Sequence, residues 1–155
     1  MIRYEALPTE TARAYQRGAP DAYGAAPERA VSTGGAPCRH CLCDIPVGAP
    51  MLILAHRPFP ETQPYAETGP IFLCAHECER HPEGARPPAM FLGWPRLLIR
   101  GYGADHRIVY GTGRVVETAA LEEAVAETLE DPAIAYVHLR SASNNCYQAR
   151  AVRAA

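Results

Sequence analysis

Ala119-Ala120-Leu121-Glu122-Glu123-Ala124-Val125-Ala126-Glu127-Thr128-Leu129-Glu130 carries the clearest helical period in this chain. Leu121, Val125 and Leu129 recur at i, i+4 and i+8, with Ala124 and Thr128 flanking them, while Glu122, Glu123 and Glu127 take the opposite side. Thr118 stands where an N-cap belongs, and Asp131-Pro132 ends the run. Upstream, Arg96–Tyr102 reads as a strand and Gly103-Ala104-Asp105 as a turn. His106–Val116 then reads as a second strand interrupted at Gly111-Thr112-Gly113, making a hairpin with a glycine bulge or bend. Downstream, Ile134, Tyr136, His138 and Arg140 alternate with Ala135, Val137 and Leu139. Ser141–Asn145 turns, and Cys146–Val152 follows as a last strand. The expectation is an α+β fold: a mainly antiparallel sheet with one main helix packed on it, built from residues 96–153.

The first half reads differently. Residues 1–36 are expected to be irregular apart from a short helix over Thr9–Arg17. Residues 37–81 form a Cys/His-rich region. Met51–His56 is an apolar run of strand length, and Pro70–Cys74 is a second short strand. Four prolines in His56–Pro70 make the connection a long, stiff loop. Antiparallel pairing of the two strands would bring Cys38–Cys43 beside Cys74–Cys78.

At 155 residues the chain is expected to be one domain, and 48% hydrophobic with 21% charged residues is a globular composition. A net charge of −2 argues against a nucleic-acid or membrane-surface partner. All 15 basic residues are Arg, which removes Schiff-base chemistry and the P-loop lysine. The three serines, Ser32, Ser141 and Ser143, lie outside any G-x-S-x-G elbow. Gly101-x-Gly103 and Gly111-x-Gly113 follow strands without opening a βαβ unit, so no nucleotide cofactor is expected. The N-terminus lacks the apolar segment of a signal peptide, and Met51–Ala55 is too short to cross a bilayer. A cytoplasmic protein is the expectation, with its six cysteines reduced or bound to metal.

Cys38-x2-Cys41 and Cys74-x3-Cys78 carry the strongest chemistry. The first pair has knuckle spacing, and the second would complete a tetrahedral Zn²⁺ set, with His76 able to replace one of its members. A closed set of four ligands is structural, substituting for core that the proline-rich half lacks. Three other readings use the same residues. The cysteines read equally as buried apolar side chains; Cys38-x-His40 and Cys74-x-His76 approach a Rieske pattern with one residue too few in the second box; and Cys38-Arg39-His40-Cys41 has the spacing of a redox or nucleophilic thiol.

Two further groups are candidate ligand sites. Tyr136, His138 and Arg140 share one side of a strand and lead into Asn144, Asn145 and Cys146. They either line a pocket, with Arg140 clamping an anion and His138 as acid or base, or form the solvent face of a one-sided sheet. Arg100 and Tyr102 carry the same alternatives. Pro64-Tyr65-Ala66-Glu67-Thr68-Gly69-Pro70 is either a binding lip or a loop packed on the sheet edge with Glu67 paired to an arginine.

Leu98-Ile99-Arg100-Gly101-Tyr102, the 118–130 helix, Tyr136–Ala142 and Asn145–Arg150, with Pro37-Cys38-Arg39, the Leu42–Asp44 region and Pro64–Phe72, resemble the bacterial family called domain of unknown function 1203. The resemblance spans roughly Arg3 to Arg153 and implies a fold without an activity. In its pattern Cys38 and Cys146 are typical, whereas positions 41, 43, 74 and 78 are often other residues; this chain departs by adding thiols. The combined expectation is a zinc-stabilised binding or accessory module for a small molecule or a protein. The alternative is a small enzyme or a redox or metal sensor reacting through Cys146, Cys38 or His138.

Overall fold

Alternation along the C-terminal strands decides which side chains meet the helix. The computed structural model describes residues 1–155. In chain order its elements are β1 (Ile2–Glu5), α1 (Thr9–Gln16), β2 (Glu28–Val31), β3 (Pro50–His56), β4 (Gly69–Cys74), β5 (Arg96–Tyr102), β6 (Arg114–Glu117), α2 (Leu121–Glu130), β7 (Tyr136–Ser141) and β8 (Tyr147–Arg153). Five strands form one antiparallel sheet in the order β1-β8-β7-β5-β6, and β2-β3-β4 form a second. Leu97 and Ile99 of β5, Val137 and Leu139 of β7, and Ala149 and Ala151 of β8 all turn to one face of the larger sheet. There they pack with Leu121, Val125 and Leu129 of α2, as the helical period predicts. The fold is α+β, with antiparallel sheets and a helix on one of them.

The smaller sheet has its own core. Leu52 faces Leu73 and Leu54 faces Ile71 across β3 and β4, and Cys38, Ile45 and Ala12 of α1 pack with them. The segment holding Cys38 lies along β4, with a parallel bridge between Cys38 and Phe72. The predicted pairing therefore occurs, with Met51 opposite Cys74.

Three expectations need correction. Residues 1–36 contain β1 and β2 besides the expected helix, because each pairs as a short sheet edge on β8 or β3 and needs little periodicity of its own. The strand expected over 106–116 begins only at Arg114; before it, Ile108 makes a single bridge to Tyr102 and Gly111 turns the chain at φ +91°. Thr118 does not cap α2. Its hydroxyl donates to the Trp94 carbonyl, and a 3-10 turn over Thr118–Ala120 leads into the helix instead.

Candidate functional site

Cys38, Cys41, Cys74 and Cys78 converge where the Cys38–Cys41 turn meets the end of β4, with all four Sγ atoms within 4.8 Å of one another. Cys38 and Cys78 are 3.9 Å apart and Cys41 and Cys74 are 4.0 Å apart, sulfur to sulfur. Four sulfurs set tetrahedrally at the usual Zn–S distance of ~2.3 Å would stand roughly 3.8 Å apart. The donor set therefore fits a tetrahedral thiolate-binding metal in number, chemistry and spacing.

The backbone builds this cluster. Leu42 N–H donates to the Cys38 carbonyl and Cys38 N–H to the Cys43 carbonyl, closing a tight turn. Leu42 takes a positive φ of 51° in that turn, a conformation costly for a branched residue, and its side chain is buried in the core beneath α2. Cys38, in the same turn, is buried in the other core. At β4, Cys74 N–H lies 3.4 Å from Cys38 Sγ. The thiols of Cys41 and Cys74, then the backbone N–H groups of the same residues, hold the Cys38 thiol far below its ordinary range. Bonding with Cys38 pushes Cys41 strongly upward and Cys74 to about 12. A metal ion bound here would take the place of the protons left on these thiols.

A second layer surrounds the sulfurs. His40, fully buried, places Nδ1 3.1 Å from Cys78 Sγ and Nε2 2.9 Å from Thr9 Oγ1 of α1. Burial, then Arg13, lowers its pKa. A neutral ring with hydrogen on Nδ1 satisfies both contacts, donating to sulfur and accepting from the Thr9 hydroxyl. From α1, Gln16 Nε2 donates to the Cys74 and His76 carbonyls at 2.9 and 3.0 Å, and Arg13 donates to the Cys78 carbonyl at 2.8 Å. His76 itself is exposed and stands outside the sulfur group. Thr9 and Gln16 were not expected at the site, and His40 was named there only in the Rieske-like and reactive-thiol readings, not as a partner of Cys78. The signal for His40 was its place inside the C-x2-C loop; no motif marks the other two.

Behind the cluster lies the sheet face opposite α2. Glu5, Arg150, His138 and Arg100 stand in one row across β1, β8, β7 and β5. Arg150 is exposed, but the rest of the row's centre and its neighbours Tyr136 and Arg140 are not a solvent face. His138, Tyr136 and Arg140 are all buried, because the proline-rich loop of residues 57–68 and the smaller sheet fold over them. Period-two alternation shows which residues share a face but is silent on what covers it. The Phe59 ring of the loop lies 5.2 Å from both Tyr102 and His138, and Tyr102 stacks on Tyr136 at 5.3 Å. Burial first, then Arg140, Arg150 and Arg100, hold the His138 pKa well below its ordinary value.

Glu67 reaches back from the loop to two arginines, Arg100 at 2.7 Å and Arg140 at 3.5 Å. Arg100 also donates to the Tyr102 hydroxyl. Asn145, at a φ of +57°, offers its carbonyl to Arg140 at 3.1 Å. Glu67, Arg140, Asn145 and Cys146 line one cavity of about 210 Å³ together with His56 and Tyr147. On the other side of His56 and Tyr147 a second cavity of about 430 Å³ reaches His138, Arg150 and Glu5. Tyr65 joins neither; it lies at the loop tip with its hydroxyl 2.9 Å from that of Tyr110. Cys146 Sγ has the Asn144 carbonyl as its polar contact, at 3.7 Å.

No helix is long and apolar enough to cross a membrane. No curated protein and no solved structure matches the chain. The sequence profile described as Protein of unknown function (DUF1203) matches residues 35–153, a span holding all six cysteines, α2 and, apart from Glu5, the polar row across the larger sheet. That span covers most of the sequence, and the chain belongs to this family.

Proposed function

We propose that this chain is a binding or accessory module stapled by one structural Zn²⁺ on Cys38, Cys41, Cys74 and Cys78. The observation that carries the reading is the mutual approach of four sulfurs to within 4.8 Å, with a fully buried histidine beside one of them. Four thiolates fill a tetrahedral shell and leave no position for substrate or water, which is the design of a structural site rather than a catalytic one. The ligands come from the Cys38–Cys41 turn, from the end of β4 and from the turn that follows it, so the ion would tie together segments that are far apart in sequence. A thiol enzyme built on Cys146 has less support: no imidazole is hydrogen-bonded to its sulfur, whereas an activated cysteine needs a base within reach.

Metal content and free thiols, measured on one as-purified untagged sample, test the reading. About one zinc per chain, with the four cysteines protected until a chelator is added, is the expected result. All six thiols reactive in the folded, metal-free protein would reject it, and iron in place of zinc would reassign the ion.

A further inference from the structure

The cavity beside Arg140 is short of negative charge. Arg140 is 4% exposed and makes one ordinary hydrogen bond, to Asn145 O at 3.1 Å; its other contacts are long, His138 Nδ1 at 3.4 Å and Glu67 Oε2 at 3.5 Å, and Nε is unpartnered. Charge-assisted bonds of guanidinium to carboxylate run ~2.7–2.9 Å. The neighbouring pairs meet that standard, Arg100 on Glu67 at 2.7 Å and Arg150 on Glu5 at 2.6 Å. Glu67 is therefore held by Arg100 and only grazes Arg140.

The cavity lining holds one carboxylate, Glu67, and one guanidinium, Arg140, but that carboxylate is already engaged from behind by Arg100. Arg100 and Arg140 share the single carboxylate of Glu67. Arg39, 2% exposed, lies outside the cavity lining and meets it only at Tyr147, whose backbone carbonyl it bonds; it also donates to the Pro37 carbonyl, lies over the Phe72 ring and has no carboxylate partner. Burial keeps His56 and His138 neutral near pH 7, with His56 held to about 4, so neither supplies nor removes charge there. A buried guanidinium without its anion is costly, and a space beside it lined by polar groups is the usual place for one.

Size and geometry narrow the anion. At about 210 Å³ the cavity lies below the usual ~300–1,000 Å³ of drug-sized ligand sites, which excludes a nucleotide and leaves room for a few heavy atoms. A planar, singly charged group matches both the guanidinium fork and the missing charge. Glu67 already presents such a carboxylate from the rim.

We propose that the cavity binds a short-chain monocarboxylate, seated on Arg140 in place of the Glu67 Oε2 contact while Glu67 stays on Arg100. This gives the binding-module reading a ligand class, and it does not depend on the cysteine centre.

The test is ligand-observed NMR and calorimetry at low ionic strength on the full as-purified chain, with zinc content measured on the same sample. The probes are acetate, propionate and lactate, with propionamide as neutral isostere and inorganic phosphate as the other anion. Saturable binding of a carboxylate, none of propionamide, and weaker binding of phosphate are expected. Arg140→Lys keeps the charge and removes the fork, and should weaken binding at least tenfold. Glu67→Gln removes a negative charge from the rim and should tighten it by about fivefold. Absence of saturable binding to the wild type overturns the proposal. So do equal binding of propionamide, tighter binding of phosphate than of every carboxylate, or weaker binding by Glu67→Gln. Should Arg140→Lys fail to fold, the isostere and Glu67→Gln decide. Zinc present without carboxylate binding rejects this site alone, and carboxylate binding without zinc rejects the staple alone.

Discussion

His40 Nδ1 lies 3.1 Å from Cys78 Sγ, while the other nitrogen of the same ring lies 2.9 Å from the Thr9 hydroxyl. The ring thus couples α1 to the sulfur cluster, in the position that outer-layer partners take around metal ligands. Replacing His40 with Ala should weaken zinc retention about 10- to 100-fold, read by competition with a chromogenic chelator. Retention equal to that of the wild type would mean that the ring fills space and no more.

Gln16 makes a related bond from the same helix. Its side-chain amide donates to the carbonyls of Cys74 and His76 and fixes the turn that carries the second cysteine pair. Gln16→Ala should lower stability by about 1–2 kcal/mol. Denaturant melts with and without excess chelator would locate the effect, which should shrink once the metal has been stripped.

Gly101 on β5 has no room for a side chain. A Cβ there would meet Ile134 Cδ1 at 3.1 Å and Thr112 Oγ1 at 3.2 Å. Thr112 cannot retreat, since its hydroxyl accepts from Gly101 N–H and donates to the Val109 carbonyl. Gly101→Ala should therefore cost about 1–3 kcal/mol in chemical denaturation. An unchanged midpoint would show that β5 shifts freely against the 108–113 turn.

Acid should destabilise the fold well before the carboxylates titrate. His56 is held from 6.5 to about 4, by burial first and then by Arg39 and Arg57, and His138 is lowered by burial and its arginine neighbours. Tyr15 from α1 and Tyr147 from β8 also face His56, the Tyr15 hydroxyl 3.1 Å from Nδ1. A depressed histidine pKa means that the unfolded chain binds the proton first. The stabilisation is therefore complete above pH 6.5 and lost as pH falls toward 4. For His56 this is on the order of 3 kcal/mol. Glu5, lowered by Arg150 and Arg3 against its burial, adds a further loss below its ordinary range. Thermal melts should fall steadily from pH 7 to pH 5, and His56→Gln should flatten that slope. A level profile across this interval would contradict the assignment.

The sequence exposed what is periodic or chemically rare. The apolar run of β3, the α2 stripe and the cysteine spacing each survived into the structure, and antiparallel pairing of β3 with β4 was enough to bring the two cysteine pairs together. It hid what depends on cover. Nothing in the alternation of Tyr136, His138 and Arg140 says that a proline-rich loop will fold over them and turn an apparent outer face into an interior. Arg39 was legible as a neighbour of thiols but not as a buried cation, because its partners are backbone carbonyls that any sequence would supply. β1 and β2 escaped notice because a short edge strand borrows its register from the strand beside it.

The tight turn at Cys38–Leu42 roots in two interiors at once, Cys38 in the core of the smaller sheet and Leu42 in the core beneath α2. On the proposed reading this makes the ion a gatekeeper of lifetime. A newly made chain that fails to acquire zinc would lose its grip on both interiors together and present the loops on either side of the turn to proteases. Cellular abundance would then follow metal supply even if no step performed by the mature protein involves the metal.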